Sequence, residues 1–331
     1  PEEVAALLDE ESYAQLARRF GLDEEANFEG KWHLTVRQDV ENSDNKIDAA
    51  LATLLAERAK RVPPGLDDKQ LTSWNALAIR GMAIAGRVLE REDLTDAAAA
   101  AAAFVRDKLF VDGRLLATCK DGRARFPAYL DDYAFMIDAL LELLQSRWDT
   151  AQLNFAIGLA DALLAHFEDR EDGGFYFTAD DHEQLMHRPK PLADEAVPSG
   201  NGTAALALQR LGHLVGEHRY TDSAERALRS AWKAMDEYPH GHVTLIAALE
   251  EYLEPPEIIV IRGDAAEMAD WQRQLARIYA PARLVVAIDR NEEALPGMLA
   301  ERTPVAGETV AYRCVGTHCE LPVTKLEKLG E

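Results

Sequence analysis

Apolar residues along this 331-residue chain fall into two helical patterns that alternate. In the first pattern a helix is apolar nearly all round. Leu77, Ile79, Met82, Ile84 and Val88 follow Asn75, and Phe135, Met136, Ile137, Leu140, Leu141 and Leu144 follow Asp132. Ala204, Leu206, Leu208, Leu211 and Leu214 follow Asn201 in the same way. In the second pattern apolar residues keep to one face, as in Ala224, Ala227, Leu228, Ala231, Trp232 and Met235. A helix apolar all round belongs to a buried layer, and a one-sided helix covers it. The alternation therefore predicts stacked helix pairs in a double-layered helical barrel.

Short polar motifs open the buried helices: Thr72-Ser73-Trp74-Asn75, Leu130-Asp131-Asp132-Tyr133 and Pro198-Ser199-Gly200-Asn201. Similar phrases announce the outer helices: Asp93-Leu94-Thr95-Asp96, Trp148-Asp149-Thr150 and Tyr220-Thr221-Asp222. Inner helices that start at one rim bring the opening motifs together in space. Before the repeats, residues 3–20 read as one amphipathic helix closed by Gly21. A second helix over 48–60 ends at Pro63-Pro64-Gly65. Asp112-Gly113 and Asp172-Gly173-Gly174 predict tight turns into short strands in rim loops. A last helix follows His240-Gly241-His242.

Pro255-Pro256 closes the helical region. Beyond it, apolar strands over 258–261 and 284–288 flank a helix over 264–279, which is the pattern of a parallel crossover unit. It carries no Gly-x-Gly-x-x-Gly, so no dinucleotide site is expected. The predicted organisation is a mainly α chain, with an (α/α) toroid over 1–254 and a small α/β appendage over 255–331.

Charge narrows the partners. Lys and Arg total 36 against 58 Asp and Glu, a net charge of −22, which repels nucleic acid and anionic membrane. No run of eighteen apolar residues predicts a membrane span. The acidic start Pro1-Glu2-Glu3 lacks Met and any hydrophobic segment, so no signal peptide is read there; it fits a piece cut from a longer chain. Three cysteines cannot build a disulfide framework, and a cytoplasmic home is the expectation. Cys314, Cys319 and His318 are one ligand short of a structural zinc site, so free thiols, no metal and no cofactor are expected.

Six motifs occur in a fixed order: Leu71-Thr72-Ser73-Trp74-Asn75, Pro127-Ala128-Tyr129-Leu130-Asp131-Asp132-Tyr133, Gly173-Gly174-Phe175-Tyr176-Phe177-Thr178, Arg188-Pro189-Lys190, Val197-Pro198-Ser199-Gly200-Asn201, and Cys314 with Cys319-Glu320-Leu321-Pro322-Val323. As a set they resemble the thioredoxin-domain-containing family of the spermatogenesis-associated protein 20 type, with bacterial relatives of the YyaL kind. The resemblance implies a six-hairpin, glycosidase-like helical region, similar in turn to N-acylglucosamine 2-epimerases and glycoside hydrolases. It also implies an N-terminal thioredoxin-like domain, and this chain has neither that domain nor a Cys-x-x-Cys. No redox role is carried over.

Candidate chemistry centres on the rim. Glycosidic hydrolysis needs one protonated carboxyl group and one carboxylate. A helix N-terminus favours an ionised group, so Asp132 is assigned the base role and Glu195 the acid role, with Asp131 beside them. Helix capping is the alternative for Asp131 and Asp132. Trp74 and Tyr133, with Tyr176 in a rim loop, offer aromatic faces to a sugar ring or pack into the core. Asn75 and Asn201 bond sugar hydroxyls or cap their helices; Ser199 reads as a helix start. Arg188 and Lys190 suit a ligand carboxylate or phosphate, or are solvated surface charges. An epimerase would need a group such as His240 or His242 to remove a proton beside a carbonyl. The predicted ligand is a carbohydrate or polyol. The alternative is a non-catalytic module that partners a thioredoxin-like domain.

Overall fold

A computed structural model describes residues 1–39, 45–183 and 186–329. The chain forms two compact units, Pro1–Asp67 and Asp68–Glu331. The first contains α1 (Glu2–Ala5), α2 (Glu10–Phe20) and α3 (Lys46–Arg58). The single helix expected over 3–20 is interrupted, because the Asp9 carboxylate accepts from Ser12 N at 2.9 Å and from the Ser12 hydroxyl at 2.7 Å. That N-cap starts a fresh helix. Gly21 closes α2 in the left-handed region, at φ +71°. Leu16, Ala17, Leu22 and Ala50 form the buried centre of this unit.

The second unit begins with β1 (Gln70–Leu71), which runs straight into α4 (Thr72–Val88) and then α5 (Glu92–Phe104). Next come β2 (Phe110–Val111), β3 (Arg114–Lys120) and β4 (Arg123–Pro127). The helices α6 (Leu130–Ser146), α7 (Thr150–His166), α8 (Gly200–Val215), α9 (His218–Glu237) and α10 (Val243–Leu253) follow. Helices α4, α6, α8 and α10 pack in sequence as the inner layer, and α5, α7 and α9 each pack outside the inner helix that precedes them. Nearly every residue of α6 and α8 is buried, whereas α9 buries one face only; α4, expected to be buried all round, also buries one face, with Met82 and Val88 exposed. This is the layering of an (α/α) toroid, as three hairpins and a further inner helix.

Two of the outer-helix phrases owe their threonine to close helix packing. A Cβ on Gly86 of α4 would strike Thr95 of α5, and one on Gly212 of α8 would strike Thr221 of α9. In each hairpin a glycine lets the threonine of the covering helix sit against the inner backbone.

Asp112 and Gly113 join β2 to β3 with φ of +49° and +79°, as a tight hairpin requires. The strand expected after Asp172-Gly173-Gly174 does not form. Phe175 makes only a single bridge, to Glu168, and its own N–H and C=O go to the Asn201 side chain.

After Pro255-Pro256 come β5 (Glu257–Gly263), α11 (Ala265–Ala276), β6 (Arg283–Asp289), β7 (Val310–Val315) and β8 (His318–Cys319). The sheet order is β6-β5-β7-β8, with β5 and β6 parallel. Successive strand residues face opposite ways. Ile258 and Val260 join the main helical core, while Ile259 and Ile261 pack with Met268, Trp271 and Leu275 of α11. The architecture changes at Pro255, yet the compact unit does not divide there, because one face of the sheet completes the core of the helices. Cys314 and Cys319, expected as free thiols, are register partners in adjacent strands and are joined as a disulfide; Cys119 is free and buried. Sequence reading counted these residues as metal ligands and missed the two-residue turn that folds β7 back on β8 and sets the two sulfurs opposite.

Candidate functional site

The rim is built by acids that tie neighbouring helix N-termini together. Asp132 lies in the first turn of α6. Its Oδ2 accepts from Tyr129 N at 2.9 Å, and its Oδ1 accepts from Ser73 N, at the start of α4, at 2.8 Å. Asp194 repeats the device, with Oδ1 accepting from Ser199 N before α8 at 2.8 Å and Oδ2 from Thr244 N in α10 at 2.9 Å. Between these pairs stands Asp131, whose carboxylate occupies the space a Cβ on Gly200 would need. Thus the Asp131 carboxylate packs against the start of α8. Unpaired N–H groups at a helix start need acceptors, and three carboxylates along the rim provide or crowd them.

The electrostatics of the acids differ. Burial pushes the Asp131 carboxyl up to about 6. Burial also raises Asp132, the N–H groups of Tyr129 and Ser73 pull it back, Asp131 adds repulsion, and it stands at about 6. For Asp194 burial acts upward too, but the N–H groups of Thr244 and Ser199 outweigh it and the carboxyl is lowered. For Asp132 desolvation thus exceeds the favourable N–H bonds, the reverse of the lowering that a helix N-terminus by itself would give. Both of its oxygens are also committed to backbone donors. Asp131 is half-buried and makes no hydrogen bond among the described residues.

The other predicted residues separate clearly. Trp74 stands on the rim, 65% exposed, one residue after the Ser73 N–H that Asp132 holds. Asn75 is half-buried and donates to Leu71 O at 2.8 Å, within its own helix. Tyr133 is no stacking platform, being 0% exposed, with its hydroxyl accepting from Leu115 N at 2.9 Å and Arg114 Nε at 3.3 Å. Asn201 is likewise 0% exposed; it accepts from Phe175 N at 2.7 Å and donates to Phe175 O at 3.0 Å and Pro191 O at 2.8 Å. Its amide is spent on folding the rim loop, so it has nothing left for a ligand hydroxyl.

Tyr176 and Arg188 belong to that same loop. The Arg188 guanidinium lies 4.2 Å from the Tyr176 ring centre and donates to Thr178 O at 2.6 Å. The Tyr176 hydroxyl donates to Asp169 at 2.9 Å, and Lys190 reaches the same carboxylate at 2.6 Å. Lys190 above all holds the Asp169 carboxyl well below the usual range. One face of Tyr176 is therefore covered, and both cations are engaged within the protein. Glu195 is exposed, one residue from the bridging Asp194. His240 is exposed in a short turn before α10, while His242 is the buried one, with Nδ1 2.8 Å from Tyr238 O. Ser199 caps α8, accepting from Gly202 N at 3.3 Å. His166 Nδ1 lies 2.8 Å from Asp180, and Arg114 grips both oxygens of Asp181 at 2.5 and 2.9 Å, so this His–Asp–Asp group has protein partners.

Sequence reading missed a second polar feature, deeper along the inner helices. Arg80 pairs with Asp138 at 2.6 Å, Arg87 with Glu142 at 2.8 Å, and Arg210 with Glu251 at 2.5 Å and Glu142 at 3.4 Å. Arg80, Arg87, Glu142, Gln145, Arg210 and Arg283 help line a cleft of about 410 Å³ between α4, α6 and α8 and the start of β6. The signal was present as charged residues interrupting helices that are otherwise apolar all round.

No family model matches the chain. It is 29% identical over 304 residues to human spermatogenesis-associated protein 20, covering 86% of this chain and 38% of that protein. The rat protein of the same name is 28% identical over 348 residues, covering 93% of this chain and 44% of that protein. The chain thus spans less than half the length of these relatives. Among solved structures, the cellobiose 2-epimerase of Spirochaeta thermophila matches at a TM-score of 0.40 and 20% identity, over 49% of this chain and 43% of that one. The GH76 alpha-mannanase of Bacteroides thetaiotaomicron matches at 0.45 and 12% identity, over 62% of each. Across most of its length the chain is a homologue of the spermatogenesis-associated proteins 20, the family that its six ordered motifs resemble.

Proposed function

We propose that the rim binds a carbohydrate or polyol, with Trp74 under the ring and Asp131 exchanging a proton or hydrogen bond with a hydroxyl. One observation carries this reading. An exposed indole stands on the same rim as a carboxyl group that burial holds at about 6 and that has no partner among the described residues. An apolar ring face suits a sugar's axial hydrogens, and an acid near 6 is both donor and acceptor close to neutrality. Glycosidase-like or 2-epimerase-like turnover, with Asp132 as base and Glu195 as acid, is the catalytic form of the proposal. The test is thermal shift against sugars, amino sugars and oligosaccharides. A ligand at a hundred times its Kd stabilises the fold by about 2.7 kcal/mol. The shift is expected to vanish in Trp74→Ala and to change its pH profile in Asp131→Asn; a flat panel overturns the reading.

The sealing of Tyr133 fits a second reading, in which the chain docks a thioredoxin-like domain without catalysis, and the exposure of Trp74 counts against it. In that case the sugar panel is flat, and Trp74→Ala weakens association with such a domain from a relative.

A further inference from the structure

The β1-β3-β4 ladder gathers cations on a chain of net charge −22. Register sets Thr118 between Leu71 and Arg125, and Lys120 opposite Arg123. Residues two apart on a strand share a face. Thr118, Lys120, Arg123 and Arg125 accordingly line one side, and with Lys69, Asp121 and Phe126 they bound a groove of about 440 Å³. Phe126 follows Arg125 and by strict alternation would point away. Its φ of +63° breaks the pleat, and the ring, 62% exposed, lines the same groove.

Two features of this groove point to an anion. Lys120 is held by Asp68 at 2.8 Å, but Arg123 and Arg125 are exposed and make no hydrogen bond or ion pair among the described residues. Like charges directly opposite across an antiparallel pair repel, and Lys120 faces Arg123 in that way. Beside these donors, an aromatic residue with positive φ is a costly conformation that is kept where the surrounding structure requires it.

We infer that this groove binds a small phosphorylated ring compound. The phosphoryl oxygens meet the Arg123 and Arg125 guanidiniums, and the ring lies on Phe126. Guanidinium forks match phosphate oxygens in charge and geometry. The site stands apart from the rim reading and does not depend on it.

Isothermal titration of the whole chain at low salt, with inorganic phosphate, glucose 6-phosphate and adenosine monophosphate, tests it. The ring esters should bind more tightly than inorganic phosphate, and the tighter of the two names the source as sugar or nucleoside. Arg123→Ala/Arg125→Ala should weaken every one by about tenfold or more. Phe126→Gly should reduce the ring esters to the affinity of inorganic phosphate. The unliganded Phe126→Gly chain should melt no lower, since glycine adopts positive φ freely. Trp74→Ala should leave the affinities for inorganic phosphate and adenosine monophosphate unchanged. Absence of binding at millimolar concentration, or wild-type affinity in the double arginine variant, overturns the proposal.

Discussion

At the scale of single residues, burial decides the chemistry of the rim. Asp131 and Asp132 stand at about 6, against 3.8 for an ordinary aspartate. Between those values the folded chain keeps protons that the unfolded chain has released. Their contribution to stability is therefore greatest below the unfolded value and falls as pH rises from about 4 to about 6, then levels off. Asp131→Asn removes its share of that penalty. The variant should match the wild type near pH 4 and exceed it by about 1–3 kcal/mol near pH 7, measured by urea unfolding. Identical pH profiles would show that Asp131 is not desolvated. Trp74 illustrates the opposite outcome of position. It begins an inner-layer helix that buries one face only, and is exposed, while Tyr133, in the same turn of the next inner helix, is sealed.

At the scale of elements, one carboxylate serves two helices. Asp194 joins the starts of α8 and α10, as Asp132 joins those of α4 and α6. A capping acceptor is worth about 1 kcal/mol per helix, and a buried N–H left unpaired costs more. Asp194→Ala should thus destabilise the chain by about 2–3 kcal/mol. In hydrogen exchange the Ser199 and Thr244 amides should lose protection together. Independent behaviour of the two amides would dissolve the idea of a shared cap. The inner-helix motifs were readable as helix starts, and Ser199 caps as its residue type implies. Which acid caps which helix was not readable, because the acceptor for Ser73 lies 59 residues away.

For the whole molecule, the helical layers and the sheet are joined through buried charge. Arg210 on α8 reaches Glu142 on α6, Glu251 on α10 and the carbonyl of Pro281 just before β6. Gln145 of α6 accepts from Val285 N of β6 at 3.1 Å. Removing one member of a buried pair leaves an uncompensated charge, which costs about 3–5 kcal/mol. Arg210→Met should lose that much in urea unfolding and recover part of it when Glu251→Leu is added. A loss below about 1 kcal/mol would mean that water already compensates these acids.

The sequence by itself determined the alternation of fully apolar and one-sided helices, the crossover unit after Pro255-Pro256, and the family likeness. Each of these rests on periodicity or on residues close together in the chain, where local geometry fixes the outcome. Only the tertiary structure decided which rim residues face outward and why Tyr133 and Asn201 are spent on the fold. It likewise decided that charges scattered over α4, α6, α8 and α10 form one network, and that Phe126 turns into the groove beside Arg123 and Arg125. Burial and pairing depend on what lies opposite a side chain, and that neighbour is set by packing between segments that are distant in sequence.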